Sequence, residues 1–470
     1  MTGRVVVVGG GIAGLTAAYR LRAAGHPEVT VLEAEPVPGG KVRSVEVGGV
    51  ELEAGPDSLI ARKPWAVELC RELGLGHNLV APATDRTYVW TEAGLRRFPI
   101  GPFGIPTDLG ELWGWAGMSR RGKLRALGDL VRKPKKGKGD PSLGSLLRRR
   151  LGDEATDALV APLLGGLFAG DVDRLSAGAT FPELAEWERR DGGLIRGARA
   201  AAKAAGPGAP SMFLRLEGGL GRLTGALAEA IGGRLRCGTA VDVVERDHGR
   251  YLVRAGTAEH SAGRTEHPAD AVVMASPAFI AAGLVERLAP QAARLLRQIP
   301  YASTAVVLLV YPEGTGDALP DGTGFVVPAG KAPLTACTFV SRKWPRPELG
   351  SRAVLRCFVG GVGAEDVLDA PDREIAEAVC RHVAALVELP AAPEAWKVVR
   401  WLKAMPQYEV GHLERLASIE GSLPPGVFLA GSGYRGVGLP DCVRSGNEVA
   451  GRVLAHLAGL PAKDVEQERV

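Results

Sequence analysis

The chain has 470 residues, 46% hydrophobic and 23% charged, with a formal net charge of +4. That length allows two or three domains with sizeable cores, and the charge gives no electrostatic case for a nucleic-acid partner. The six cysteines (Cys70, Cys237, Cys337, Cys357, Cys380, Cys442) form no CxxC pair or zinc-spaced Cys/His set, so no metal is expected and the thiols read as reduced.

Residues 4–8 (RVVVV) read as a buried strand, Gly9-Gly10-Gly11-Ile12-Ala13-Gly14 as a turn, 15–24 as a helix and 29–33 as a second strand. In Gly9-x-Gly11-x-x-Gly14 the first glycine permits the tight turn. The second lets a pyrophosphate approach the backbone, and the third lets the helix lie against the strand. The helix N-terminus offers free N–H groups and a partial positive charge. Glu33 stands where an acid accepts hydrogen bonds from a ribose. The loop predicts a dinucleotide and does not by itself separate NAD from FAD. The glycine cluster also interrupts the one stretch that looks like a signal peptide, and no apolar run reaches the roughly 18–20 residues of a membrane span. The expected location is cytoplasmic, at most peripheral to the inner face of a membrane.

Pro38-Gly39-Gly40-Lys41-Val42-Arg43-Ser44 gives a second anion-friendly turn, and Gly55-Pro56-Asp57-Ser58 a further tight one. Residues 63–75 read as a helix and 86–90 as the start of a strand. From 107 to 205 apolar residues recur at helical spacing among many Arg and Lys, which predicts a helical insertion. Within it Leu109, Leu112, Trp113, Trp115 and Met118 precede the most basic stretch, Arg120 to Lys138. Such a segment suits an anionic lipid surface, a guide for an acidic substrate or partner, or a solvated helix face. Strand patterns return at 235–236, 241–244, 251–254, 271–275 and across 300–360, and 372–388 reads as a helix. Residues 427–430 form a last strand before Gly431-Ser432-Gly433-Tyr434-Arg435-Gly436 and a C-terminal helix. No second βαβ unit follows, so this strand is expected to return to the N-terminal sheet and face the same cofactor. One long cofactor touching both chain ends predicts FAD.

The segments VVVVGGGIAGLTAA and LEAEPVPGGKVRS and the C-terminal turn resemble the flavoprotein superfamily of amine oxidases, carotenoid desaturases and protoporphyrinogen oxidases. The blocks GPDSLIARKPW, DRTYVWTEAGLRRFP, LLGGLFAGDVDRLSAGATFPEL, FLRLEGGLGRL, VVMASPA, GFVVPA, MPQYEVGHLERL and AGSGYRGVGLPDCVRSG narrow the resemblance to the porphyrinogen oxidases, over about residues 4–455. The expected fold is α/β: a Rossmann-like FAD-binding domain (1–75, 212–282 and 395–470), an α+β substrate domain (76–100 and 283–394) and an inserted helical domain (101–211).

The resemblance implies one FAD per chain, non-covalent because Cys442 lacks the surroundings used for covalent attachment. Cofactor contacts carry over to Gly9, Gly10, Gly11, Ile12, Ala13, Gly14, Glu33, Ala34, Gly40, Lys41, Arg43, Gly55, Pro56, Asp57, Ser58, Val241, Trp401, Gly431, Val437, Gly438 and Leu439. At Lys41 the pattern departs, since relatives carry an aromatic there. For substrate, Arg86 matches an arginine whose planar fork meets a propionate. Leu163, Gly166, Val326 and Phe358 match positions lining a macrocycle pocket.

The implied activity is oxidation of coproporphyrinogen III to coproporphyrin III in haem biosynthesis. Six electrons leave, and three O2 become three H2O2. Protoporphyrinogen IX is the additional or true substrate. The Ala/Gly/Arg-rich composition fits a GC-rich bacterial genome, and the coproporphyrin route is common in Gram-positive bacteria, which favours coproporphyrinogen. Hydride transfer to flavin N5 needs position and an apolar wall, so no side chain is assigned as catalytic. The expected partners are the porphyrinogen and O2, with a haem-pathway enzyme or a membrane surface meeting residues 107–138. The alternatives are an amine oxidase, a carotenoid desaturase or a non-catalytic flavoprotein that carries porphyrin.

Overall fold

The computed structural model describes residues 3–460 apart from 27, 93, 100, 136–138, 207–210 and 258–259; at 257 and 260–263 it describes the backbone alone. The basic residues Lys136 and Lys138, the end of the predicted charged stretch, lie outside the described residues.

Val5–Val8 is the central strand of a five-stranded parallel sheet. Val29–Leu32 and then Leu235–Arg236 lie to one side; Ala271–Met274 and then Val427–Leu429 lie to the other. Its unbroken valine run follows from burial on both faces. Val5 and Val7 enter a core built with the helices Ile12–Ala23 and Leu439–Leu457. Val6 and Val8 point the other way, into a core shared with the antiparallel strands Thr239–Asp247, Arg250–Thr257 and His260–Ala269 and the helix Ala278–Leu284. The last strand thus joins the first sheet, as its lone following helix predicts.

A seven-stranded mixed sheet forms the second layer. Its order is Ala395–Pro406, Tyr301–Val310, Val354–Gly360, Leu334–Phe339, Gly324–Val326, Thr87–Thr91 and Gly94–Arg97. The helix Asp372–Ala384 covers one face. The sequence grouping puts 395–406 with the dinucleotide-binding unit, and the structure hydrogen-bonds this strand into the second sheet. That strand pairs with Tyr301–Val310 along most of its length and forms a half-exposed edge of the sheet. The hairpin Ser44–Val47 and Val50–Glu53, which sequence periodicity left unread, packs on the opposite face through Val47, Val50 and Leu52.

Between Arg97 and Phe213 the described residues form helices, turns and isolated β-bridges but no strand, with helices from Leu109–Gly114 to Leu194–Ala205. They enclose their own core, with Leu143, Leu146, Leu147, Trp115 and Trp187 buried. At its centre Arg150, fully buried, donates to Asp129 at 2.5 Å and to the backbone carbonyls of Asp129, Gly192 and Arg132. Part of the basic stretch is therefore structural. Lys123 is buried and donates to the Trp113 carbonyl, and Arg125 donates to the carbonyls of Arg148, Arg149 and Arg150. Of the apolar residues ahead of it, Leu112, Trp115 and Met118 are core, while Trp113 is 48% exposed.

Candidate cofactor and substrate site

Three glycine turns from distant parts of the chain meet at the start of the first helix. In the first, Gly9 has φ 111°, and its N–H donates to Leu32. A Cβ at Gly14 would overlap the Gly9 carbonyl oxygen, so only glycine lets the helix sit this close to the strand. A Cβ at Gly11 would meet nothing within 4 Å. Gly11 is therefore small for the sake of open space, and it heads a helix with no side-chain cap, whose first N–H groups stay available to an anion.

The second turn packs on the first. Gly39 N–H donates to the Gly10 carbonyl at 2.9 Å, and a Cβ at Gly40 would stand 3.2 Å from the Gly11 Cα. Lys41 then reaches the third turn, where its ammonium donates to the Ala404 carbonyl and to Ser432 Oγ. Burial lowers the Lys41 pKa from its ordinary value. Gly431 comes within 3.6 Å of Ala13, counted from the position of its would-be Cβ. The C-terminal helix starts at Gly438, again without a side-chain cap, and a Cβ at its Gly446 would sit 2.6 Å from the Ala13 carbonyl. Small residues thus lay the C-terminal helix across the first turn of the helix that starts at Ile12.

Glu33 closes the second strand as expected, and its carboxylate accepts from Gly10 N–H at 2.5 Å and Glu35 N–H at 2.8 Å. Ala34 is exposed beside it, and Arg43 lies 3.8 Å from Glu35. Val241 is partly buried in the strand that follows, whose Thr239 donates to the Glu33 carbonyl. At Gly55 a Cβ would overlap the Lys41 carbonyl, so the fourth turn also stacks on the second. Trp401 Nε1 donates to the Ala54 carbonyl at 2.8 Å.

The Asp57 side chain is engaged with the protein. It accepts from Ser58 Oγ, Lys343 and Trp344 and pairs with Arg356. Burial works against its charge, but Lys343 and Arg356 outweigh that and hold its carboxyl well below the usual carboxylate range. Sequence reading missed these two cations. The signal for Arg356 was a lone charge inside the apolar run VLRCFVG.

It also assigned no role to PQYEVGHLE, which braces the third turn. Tyr408 OH donates to the Ser432 carbonyl at 2.6 Å and accepts from Gly436 N–H at 2.8 Å. Its ring stacks on His412 at 4.1 Å, and His412 Nε2 meets the Tyr434 carbonyl at 2.7 Å. Ser176 N–H donates to the Tyr408 carbonyl, tying the helical insertion to the same brace.

The residues expected to line a substrate pocket fall on two elements. Direct cross-strand pairing puts Val306, Phe358, Ala336, Val326 and Val89 in one row on one face of the seven-stranded sheet. Leu163 and Gly166 lie on the helix Ala161–Phe168 of the insertion. Leu163, Val326 and Val437 pack, partly buried, against the same apolar cluster, while Phe358 joins the cluster under the hairpin. A Cβ at Gly166 would meet open space. Arg86 stands apart from this row. It precedes the strand Thr87–Thr91, is about half exposed and forms an ion pair with Asp321.

The first two turns, with Gly11 open and the helix start at Ile12 uncapped, fit a bound pyrophosphate. Among the described residues no group of His, Cys, Asp and Glu could hold a metal ion, and no helix is long and apolar enough to cross a membrane.

Residues 12–454 match the family model of flavin containing amine oxidoreductases. The chain is 35% identical to the coproporphyrinogen III oxidase of Bacillus subtilis (strain 168), over 96% of this chain and 98% of that one. It is 32% identical to the coproporphyrinogen III oxidase of Staphylococcus aureus (strain NCTC 8325 / PS 47), over 97% and 100%. A crystal structure from Exiguobacterium sp. 255-15, provisionally described as a protoporphyrinogen oxidase, superposes with a TM-score of 0.84 at 33% identity, covering 97% of this chain and 99% of that one. The chain therefore belongs to the flavin containing amine oxidoreductase family, in the group that holds the coproporphyrinogen III oxidases, and is a flavin-dependent oxidoreductase.

Proposed function

We propose that the protein oxidises coproporphyrinogen III to coproporphyrin III with one dissociable FAD. The convergence of three glycine turns on one uncapped helix start is the observation that carries the cofactor half of this reading. The likeness to two coproporphyrinogen III oxidases along almost the whole chain supports the substrate half. Bound FAD would supply the two-electron acceptor that the chain's own side chains lack, with O2 as the final oxidant. Over the full reaction six hydrogens leave the macrocycle, and three O2 become three H2O2.

The protein's own part is to hold and enclose. Gly11 and the N–H groups that follow it receive the pyrophosphate, and Glu33 receives the ribose. Lys41 ties the second turn to the third, and Tyr408 keeps the third in shape. Burial raises the Cys442 thiol to about 12, with Lys41 pulling the other way. A thiol that stays protonated at neutral pH is a poor nucleophile for flavin attachment, which supports dissociable FAD. The row Val306–Phe358–Val326 and the facing Leu163 give an apolar wall on which a flat macrocycle lies without acid–base help. Arg86 meets a propionate, exchanging Asp321 for it.

Aerobic incubation with coproporphyrinogen III and, separately, protoporphyrinogen IX tests this by the growth of porphyrin fluorescence. Oxidation of neither above the enzyme-free rate would refute the reading. The rate ratio ranks the two substrates, the second being favoured by the Exiguobacterium likeness.

On the helical insertion, Trp113, Leu124 and Val131 are exposed apolar residues among the exposed cations Arg120, Arg121, Arg132, Lys133 and Lys135. Leu124 lies on the helix Arg120–Leu127, and Val131 follows the single 3-10 turn Gly128–Leu130 that ends it. This patch suits a peripheral contact with anionic lipid.

A further inference from the structure

Behind the Gly55–Ser58 turn lies a cavity of about 10 Å³ lined by Leu52, Glu53, Asp57, Arg215, Arg346 and Arg356, with other residues completing the wall. Three guanidinium groups thus reach it from three segments: the strand Phe213–Leu216, the approach to Pro347–Leu349, and the strand Val354–Gly360.

The donors around it outnumber their acceptors. Arg215 is 7% exposed and has no side-chain hydrogen bond or ion pair among the described residues. Arg346 donates to the Glu51 carbonyl at 2.6 Å, but its Nε is buried without a partner. Arg356 donates to the Gly55 carbonyl and pairs with Asp57, and its Nε is also buried without a partner.

The acids cannot fill the gap. Asp57 is already shared among Ser58, Lys343, Trp344 and Arg356. Glu53 accepts from Leu220 N–H and Ser44 Oγ and has no ion pair among the described residues. Three arginines (Arg215, Arg346, Arg356) and two carboxylates (Glu53, Asp57) line the cavity, and Lys343 shares Asp57 from beside it, so these inner groups carry an excess of positive charge; Glu51 and Glu348, which also act on Arg346, are exposed to water. Burial first, and then the nearby Arg215 charge, lower the Arg346 pKa, and Glu348, Glu53 and Glu51 oppose them without reversing the shift.

We propose that this cavity is a binding site for one small monovalent inorganic anion of the size of chloride. The volume holds roughly one water-sized particle, which excludes phosphate, sulfate and organic carboxylates. The charge excludes a cation. A water molecule would satisfy two or three donors but leave the positive excess uncompensated in a buried place. The anion would join three segments behind the turn that carries Gly55 and Asp57, so its filling should stiffen the holoprotein. This inference stands independently of the substrate.

Crystals of the holoprotein grown in sodium bromide and measured at the bromine edge test it. The expected result is an anomalous peak within hydrogen-bond reach of Arg215 and Arg356; ordered density there without anomalous signal would be water and would overturn the proposal. In solution, the holoprotein should unfold at a higher temperature in sodium chloride than in sodium gluconate of equal ionic strength. Arg215→Met, with its FAD retained, should lose that difference. Equal unfolding temperatures for the wild type in the two salts also defeat the proposal, even beside a bromide peak, because the site then fills at crystal concentration only.

Discussion

The glycine-turn cradle and the helical insertion solve opposite problems. The cradle brings backbone against backbone from residues 9–14, 39–41, 55–58 and 431–438, so its design rule is the absence of side chains. The insertion folds from one continuous stretch and fills its centre with large side chains, including a fully buried Arg150–Asp129 pair. The cradle is thus intolerant of an added methyl group, and the insertion is intolerant of a lost charge. That contrast separates two kinds of damage: loss of cofactor with the fold kept, and loss of fold with the cradle untouched.

The largest effect should come from the insertion. Arg150→Met strands the Asp129 carboxylate in a dry core and should cost on the order of 3–5 kcal/mol, read from the urea midpoint. A change below about 1 kcal/mol would put the pair in the class of exposed ion pairs. The matching blow to the cradle is Gly11→Val. Its side chain enters open space, so the apoprotein should melt unchanged while FAD affinity falls by ~100-fold, or about 2.7 kcal/mol. A stability loss equal to the affinity loss would erase the contrast drawn above.

Lys343→Met probes the charges that hold the fourth turn. Asp57 has a folded pKa below its unfolded value, so it contributes stability above the ordinary carboxylate range and loses it as pH falls through that range. Removing Lys343 weakens the depression, and acid unfolding should begin at a higher pH than in the wild type; an unshifted acid limb would exclude Lys343 from that role. Smaller still, Arg86→Ala should raise KM for coproporphyrinogen by about tenfold, near 1.4 kcal/mol, with FAD content unchanged. If Asp321→Asn lowers KM, the exchange of carboxylates on Arg86 is supported. The smallest effect is expected for Trp113→Ser, which should weaken co-sedimentation with anionic vesicles and leave turnover in detergent-free buffer unaltered. Unchanged sedimentation would remove the membrane patch.

Much of the cradle was legible before any coordinates, because a turn that needs glycine leaves a mark in one short stretch of sequence. Gly9, Gly11 and Gly14 each do what the spacing predicts: a positive φ, an open face and a close helix–strand contact. The strand near 427 was placed in the first sheet because only one helix follows it. The proposed substrate wall was not legible as a surface. Val326 and Phe358 are ordinary strand residues until pairing through Ala336 aligns them in one row, and no local pattern sets that register. The pairing of the strand Ala395–Pro406 with Tyr301–Val310 was not legible for the same reason, since that partner is far away in the chain.

The sequence by itself determined the glycine turns, the helical character of the insertion and the family, all carried by short-range patterns of glycine, apolar spacing and motif. The tertiary structure alone decided which charges are tools and which are mortar. It paired Asp57 with Lys343 and Arg356, buried Lys123 while leaving Arg120 exposed, and set Tyr408 against the third turn. The reason is physical: a charge's role depends on what lies within a few ångströms and on how much water it keeps, and chain order encodes neither.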